Sequence, residues 1–360
     1  MNGTKRISVL VVGPHADARG GIGSVQWLLE QRTADAVDLR VVCTHRDGTV
    51  PRRLVAMAVG TARALAAIVV RPPTVVHLHL SQRLSALRKG LLVTVARWRG
   101  VPTVLHVHGS GFLDWFDGLA PPGRRLLRAA LRPDRLVVLS EGLREEYRTR
   151  LDVPDDAVLA LPNPVAWPST VPARPGAADG EPLVAAFLGR FGARKGIHDV
   201  LGALALLGPR HRGRLRLVAA GDGDVDAVRA EIAASGLDSV VEVRGWIDRT
   251  ERDALLAQAA LLVLPSSHEG LPMAVLEAMA WGVVPVVTPV GGIPEVVLDG
   301  VNGVLVPVHD PSALAMALAA LIDDDERRAA LAARARADAA AFSVETWSGR
   351  LTALWADAAG

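Results

Sequence analysis

Short apolar runs alternate along the chain with longer segments in which apolar positions recur every three to four residues. The runs fall at residues 7–12, 39–43, 75–80, 103–108 and 136–139, and return at 183–188, 215–219, 240–243, 261–264 and 284–288. Near-continuous apolar runs of this length are what parallel strands buried on both faces require, and the helical stretches between them are the crossovers that join such strands. Two Rossmann-like α/β domains are therefore expected. Between the two sets of runs, Pro162, Pro164, Pro168, Pro172, Pro175 and Pro182 remove backbone donors and fix φ, which disfavours regular structure. The pattern predicts an N-terminal domain over 1–163, a linker over 164–182 and a C-terminal domain over 183–341. A last helix over 342–360 presents Trp347, Leu351, Leu354 and Trp355 on one face.

The 360 residues are 50% hydrophobic but only 4% aromatic, which suits large aliphatic cores and argues against the stacking surfaces of nucleic-acid binders. Cys43 is the single cysteine, so no intramolecular disulfide forms and a reducing, cytoplasmic setting is expected. The apolar run at 7–12 is too short for the core of a signal peptide. The longest apolar region, 54–70, is interrupted by Arg63 and flanked by Arg52, Arg53 and Arg71, and reads as a helix packed on a sheet.

Net charge becomes informative once the chain is divided. Residues 1–165 hold 23 Lys and Arg against 14 Asp and Glu, a net of +9, whereas residues 166–360 hold 17 against 24, a net of −7. A basic half attracts anionic partners, and an acidic membrane surface or a phosphorylated acceptor fits it. Within that half, the stretches 84–99 and 121–132 interleave Leu with Arg88, Lys89, Arg97, Arg99, Arg124, Arg125 and Arg128. A solvated helix face and a helix lying on a membrane both produce such a basic amphipathic pattern.

The strongest chemical signal follows the run at 261–264. A loop carrying Glu269 leads to Pro272, a residue favoured at helix starts, and Glu277 lies inside the helix that follows. The first free N–H groups of that helix, at Leu271, Met273 and Ala274, form a phosphate-binding tip, and the two carboxylates beside it accept hydrogen bonds from vicinal hydroxyls. Directly after the run at 183–188, Arg190 and Lys195 flank glycines at the start of another helix, where fixed cations stabilise a departing diphosphate. Ser140 reads as a helix N-cap, and Asp222, Asp224 and Asp226 as an acidic loop.

In the first half, Gly20, Gly21 and Gly23 follow the first strand at a separation and spacing that differ from the dinucleotide fingerprint, which counts against a nicotinamide dehydrogenase. His106 and His108 point to one face by strand alternation, but no third ligand at a plausible spacing accompanies them, and no metal site is assigned.

As a set, Glu269-Gly-Leu-Pro, Glu277-Ala-Met-Ala, Gly282, Gly291-Gly-Ile-Pro-Glu295 and Gly303-Val-Leu-Val resemble the family 4 retaining glycosyltransferases, and the resemblance spans nearly the whole chain. It implies the glycosyltransferase-B fold, two Rossmann-like domains facing across a cleft, with the last helix crossing back to an N-terminal acceptor-binding domain. It implies a UDP- or GDP-sugar donor, an α-linked product, and an acceptor that is a lipid-linked glycan, a polysaccharide precursor or a small molecule. No cofactor or essential metal is implied, and the leaving phosphate deprotonates the acceptor. By matching positions, Glu277 binds ribose hydroxyls, Glu269 the transferred sugar, and Arg190 and Lys195 the diphosphate. His108 faces the donor sugar, and Gly20 and Gly21 approach the phosphates. Asn163-Pro-Val-Ala departs from the family's usual Asn-Gly-Val-Asp. Replacing Lys195 or Glu269 by Ala is expected to cut turnover severely and leave the fold intact. Two other readings are a nucleotide-sugar epimerase of the same fold and a non-catalytic binder of sugar nucleotides.

Overall fold

The computed structural model describes residues 6–32, 37–172 and 181–360, so the middle of the expected linker, 173–180, lies outside the described residues. The chain forms two compact units, Met1–Pro164 with Phe342–Gly360, and Val165–Ala341.

In the first unit the elements are β1 (Ile7–Pro14), α1 (Gly21–Arg32), β2 (Val37–His45), α2 (Val50–Val70), β3 (Val75–Leu80), α3 (Leu84–Trp98), β4 (Thr103–Val107), α4 (Phe112–Asp117), α5 (Pro121–Ala130), β5 (Arg135–Val138), α6 (Glu141–Leu151) and β6 (Val158–Ala160). The six strands are all parallel, in the order β2-β1-β3-β4-β5-β6. β3 is buried along its whole length, including its two histidines, His77 and His79. Ser140 caps α6, accepting from Leu143 N–H at 3.3 Å.

The second unit runs β7 (Leu183–Leu188), α7 (Ile197–Leu206), α8 (Pro209–Arg212), β8 (Leu215–Ala220), α9 (Val225–Ala234), β9 (Val241–Arg244), α10 (Arg249–Gln258), β10 (Leu261–Leu264), α11 (Met273–Ala280), β11 (Val284–Val287), α12 (Ile293–Val296), β12 (Val304–Leu305), α13 (Pro311–Asp323) and α14 (Asp325–Ala339). Its sheet is parallel too, in the order β12-β11-β10-β7-β8-β9. A final helix, α15 (Val344–Ala359), belongs to the first unit, where Arg135 Nε donates to Asp357 at 2.9 Å and Trp347 and Trp355 are fully buried.

Both sheets share one topological feature. The chain leaves the first strand of each unit toward one side and then returns to the other, so the order reverses between β1 and β3 and between β7 and β10. Crevices at the carboxyl ends of such strand pairs are where open α/β sheets bind ligands.

Two details depart from the sequence expectation. β6 and β12, three and two residues long, are edge strands that the apolar runs do not reveal. The apolar helix α2 does pack beside β2, but only Gly60, Ala64 and Ile68 are buried, and most of its large side chains face outward.

Candidate active site

The second unit brings its chemistry together at the β7/β10 reversal. After β7 the chain runs through Gly189 and Arg190 into a one-turn 3-10 helix ending at Lys195, then into α7. Gly196 takes φ +75°, and a Cβ there would sit 2.2 Å from the Pro265 carbonyl oxygen, so only glycine lets this turn press against the loop after β10. Ser267 N–H donates to the Arg194 carbonyl at 2.9 Å, tying the two loops further.

Across this seam Lys195 Nζ donates to Glu269 Oε1 in a short ion pair, with both side chains largely withdrawn from solvent. Arg194 Nη1 lies 3.7 Å from the other Glu269 oxygen and donates to the His268 carbonyl at 3.1 Å. Arg194 was not among the expected site residues, and only this geometry gives it a partner there. The Glu269 loop is held from its far side as well. Gly291, at φ +56°, leaves no room for a Cβ beside the Glu269 carbonyl oxygen, 2.1 Å away, and Gly292 N–H donates to the Gly270 carbonyl at 2.6 Å.

Arg190 stands apart from this pair. Its side chain is exposed and lies 3.3 Å from Asp222, on the loop after β8. Glu277 is buried in α11, and burial raises its carboxyl pKa against the opposing pull of Arg252. Arg252 Nη1 donates to Glu277 at 2.5 Å and its Nη2 to Asp253 at 2.8 Å. Arg252 sits on α10 within the charge run Arg249-Thr-Glu-Arg-Asp253, which carries no motif to mark it. Leu271 and Met273 are buried and Ala274 partly exposed at the start of α11. Pro272 occupies the N-cap with no side-chain cap, which leaves the first turn suited to an anion.

The first unit assembles a different set at its own reversal. Gly20, with φ +102°, lies in the loop after β1, and Gly21 opens α1. Gly13, inside β1, approaches His79 so closely that a Cβ would be 2.8 Å from the ring. His79 of β3 is in register with His106 of β4, and the alternation that puts His77 beside His79 also puts His106 beside His108. Ring centroids are 4.1 Å apart for His106–His108 and 4.9 Å for His79–His108. His79 Nδ1 and His108 Nε2 share a hydrogen bond of 2.8 Å. His77 and His79 lie on β3, a separate strand from His106 and His108, and the sheet register makes them neighbours of the assigned His108.

Burial dominates these rings. It lowers His77 and His108 to about 3, with the Asn163 side chain opposing the shift at His108, and it lowers His79 and His106 well below the ordinary histidine value. All four are neutral near pH 7. Asn163, which opens the Asn163-Pro-Val-Ala stretch that departs from the family pattern after its first residue, is thus a neighbour of the assigned histidine. The nitrogens of His77, His79 and His106 lie within 4.8 Å of one another. However, Trp355 Nε1–H donates to His77 Nδ1 at 3.1 Å, which leaves the His77 proton on Nε2 and that nitrogen unable to ligate. A metal ion bound by all three rings would have to displace that proton or the Trp355 hydrogen bond.

Comparisons with known proteins fit this geometry. Residues 8–166 match the model described as Glycosyltransferase Family 4, and residues 173–338 match Glycosyl transferases group 1. Over 333 residues the chain is 32% identical to D-inositol 3-phosphate glycosyltransferase 1 of Catenulispora acidiphila, covering 79% of this chain and 72% of that protein. Its structure is similar to HepE of Anabaena in complex with UDP-glucose, with a TM-score of 0.74 at 18% identity over 98% of this chain and 100% of that one. It is also similar to sucrose-phosphate synthase of Thermosynechococcus elongatus, with a TM-score of 0.77 at 18% identity over 98% and 99%. At such identities the structural likeness establishes the fold, the glycosyltransferase-B architecture of two parallel-sheet α/β domains.

Proposed function

The chain belongs to the glycosyltransferases, and on that premise we propose that it moves a sugar from a UDP- or GDP-activated donor to an acceptor hydroxyl with retention of anomeric configuration. One observation carries the reading. An ammonium and a carboxylate, Lys195 and Glu269, are locked together where the order of the second sheet reverses. Their neighbour α11 starts without a side-chain cap.

In this mechanism the donor's diphosphate takes the two ammonium donors of Lys195 that Glu269 leaves over, together with the first-turn amides of α11 and the guanidinium of Arg190. Glu269 accepts from hydroxyls of the transferred sugar, and Glu277, paired with Arg252, from the ribose. The bond between the anomeric carbon and the diphosphate oxygen breaks, and negative charge builds on the departing nucleoside diphosphate. Cations fixed there stabilise that charge more in the transition state than in the ground state. The acceptor oxygen bonds to the anomeric carbon on the face being vacated, and its proton passes to an oxygen of the leaving phosphate. No protein nucleophile and no metal takes part. His108 contributes a neutral imidazole, a hydrogen-bonding group for sugar hydroxyls rather than an acid. The acceptor is a lipid-linked glycan, a polysaccharide precursor or a small polar molecule, and the UDP-glucose bound to HepE favours a uridine donor.

A panel of UDP-, GDP- and ADP-sugars scored by thermal shift tests the donor, followed by an assay of nucleoside diphosphate release with and without acceptors. One nucleotide class should stabilise the protein, and release should require an acceptor. Stabilisation by none of the donors would sink the proposal. Conversion of donor to an isomer without acceptor would favour an epimerase.

A further inference from the structure

The surface of the first unit formed by α2, α3 and α5 carries its larger apolar side chains on the outside. α2 is 21 residues long, about 31 Å, and apolar enough by length and composition to cross a membrane, yet only 17% of its most apolar window is buried. The stripe it turns inward is Gly60, Ala64 and Ile68, four residues apart. The close approach is at Gly60, where a Cβ would meet the Cys43 carbonyl oxygen of β2 at 2.0 Å. Small residues therefore seat the helix against the sheet edge, while Val55, Val59, Val69 and Val70 face away from it. A helix whose only task is to cover a sheet has the opposite polarity.

The adjoining helix α3 repeats the arrangement. Its inward side includes Ala86, Gly90, Leu92, Val93 and Ala96, while Leu84, Leu87, Leu91 and Trp98 are exposed, Trp98 at 75%. Their spacings of three, four and seven residues put these four on a single stripe. Leu126 of α5, a helix packed on α3, adds to the patch at 73% exposure.

Charge identifies the occupant. Residues 48–113, which contain both α2 and α3, hold nine Lys and Arg and no Asp or Glu. Arg52, Arg63, Arg71, Arg83, Arg97 and Arg99 are all exposed. A second copy of the chain would set this cationic surface against itself. An anionic lipid leaflet offers hydrocarbon for the valines and leucines, and phosphates for the arginines. With Gly60 pinned to β2 and Arg63 in the same helix, α2 is built to lie in the interface rather than to cross it.

We propose that the α2/α3/α5 face docks on an anionic membrane, with the outward apolar stripes at the acyl boundary and the arginines on lipid phosphates. The docking accords with a lipid-linked acceptor, but the lipid contact does not depend on the transferase reading.

Sedimentation of the full chain with vesicles tests it, using phosphatidylcholine alone and phosphatidylcholine mixed with phosphatidylglycerol. Binding to the anionic vesicles should exceed binding to the neutral ones by roughly tenfold or more and weaken as salt is raised. The double variant Val59→Glu/Leu87→Glu changes two exposed positions, so it should keep its melting temperature and its donor binding while losing the vesicles. Equal binding to both vesicle types, or full binding by the double variant, would overturn the proposal. So would a concentration-dependent dimer that the double variant abolishes in the absence of vesicle binding. Vesicle binding by a chain that proves unable to bind any nucleotide sugar would count against the transferase reading and leave the docking face standing.

Discussion

The reversal points of the two sheets invite comparison because the backbone prepares them alike and the side chains fill them differently. At β7/β10 the loops converge on ionised groups, with Lys195 on Glu269, Arg194 beside them and Arg190 on Asp222. At β1/β3 and the neighbouring β4, four imidazoles lie edge-on or tilted against one another, and burial keeps them neutral. The same parallel topology thus gives one edge suited to a diphosphate and another that offers uncharged hydrogen-bonding rings. Topology fixes where a ligand sits, and the residues at that address decide what charge it carries.

The largest expected effect separates charge from structure at the second edge. Glu269 has only 6% of its side chain exposed, so Lys195→Ala alone leaves a nearly buried carboxylate with Arg194 at 3.7 Å as its remaining cation. Such a loss destabilises as well as inactivates, which corrects the expectation that the single variants spare the fold. The neutral pair Lys195→Met/Glu269→Gln avoids the uncompensated charge. It should lower kcat/KM by about 10²- to 10³-fold, or about 3–4 kcal/mol of transition-state stabilisation, while its melting temperature stays within a few degrees of the parent. Near-normal turnover by this double variant would erase the distinction between the two edges.

The sequence made the strands and the outlines of the charged edge legible. Short apolar runs located ten of the strands because burial on both faces leaves little choice of residue, and the loops after β7 and β10 stood out because their glycines, cations and glutamates have no packing reason to occur there. Illegible residues were those whose role comes from a partner distant in sequence. Arg252 lies 25 positions from Glu277, and its own neighbours are charged residues of a capped helix. His79 gains meaning only through the register that places it beside His106 and His108. The outward face of α2 escaped as well. An apolar helix is equally apolar whether it faces a sheet or a lipid, and Gly60 alone hinted at which side approaches the backbone.

Arg252 gives the next test. In Arg252→Leu, Glu277 loses the cation that opposes its upward shift, so its carboxyl climbs further and more of it is protonated at any given pH. A protonated acid is a poorer acceptor of two ribose hydroxyls, and affinity for the nucleoside diphosphate should fall about ten- to a hundredfold at pH 7. Because the carboxylate re-forms as pH rises, the loss should shrink toward pH 9. Arg252→Lys, which keeps a cation, should show a smaller loss. Titration calorimetry across this range reads both. A flat profile with parental affinity would mean that the pair only joins α10 to α11.

The smallest effect belongs to the neutral edge and concerns stability. His106 is fully buried, and its pKa is lowered well below the ordinary value by burial first and by the surrounding histidines second. The folded chain therefore leaves this ring unprotonated, while the unfolded chain binds a proton as pH falls below about 6.5. Stability associated with the ring is intact above that value and declines below it, because the unfolded state then binds more protons than the folded one. Each such ring steepens the decline by up to about 1.4 kcal/mol per pH unit. His106→Leu removes one titrating group, and urea denaturation at pH 7.5, 6.0 and 5.0 should give a shallower fall for the variant by up to that amount. Identical slopes for variant and parent would show that the ring protonates in place, and the first edge would then join the second as a charged surface at acid pH.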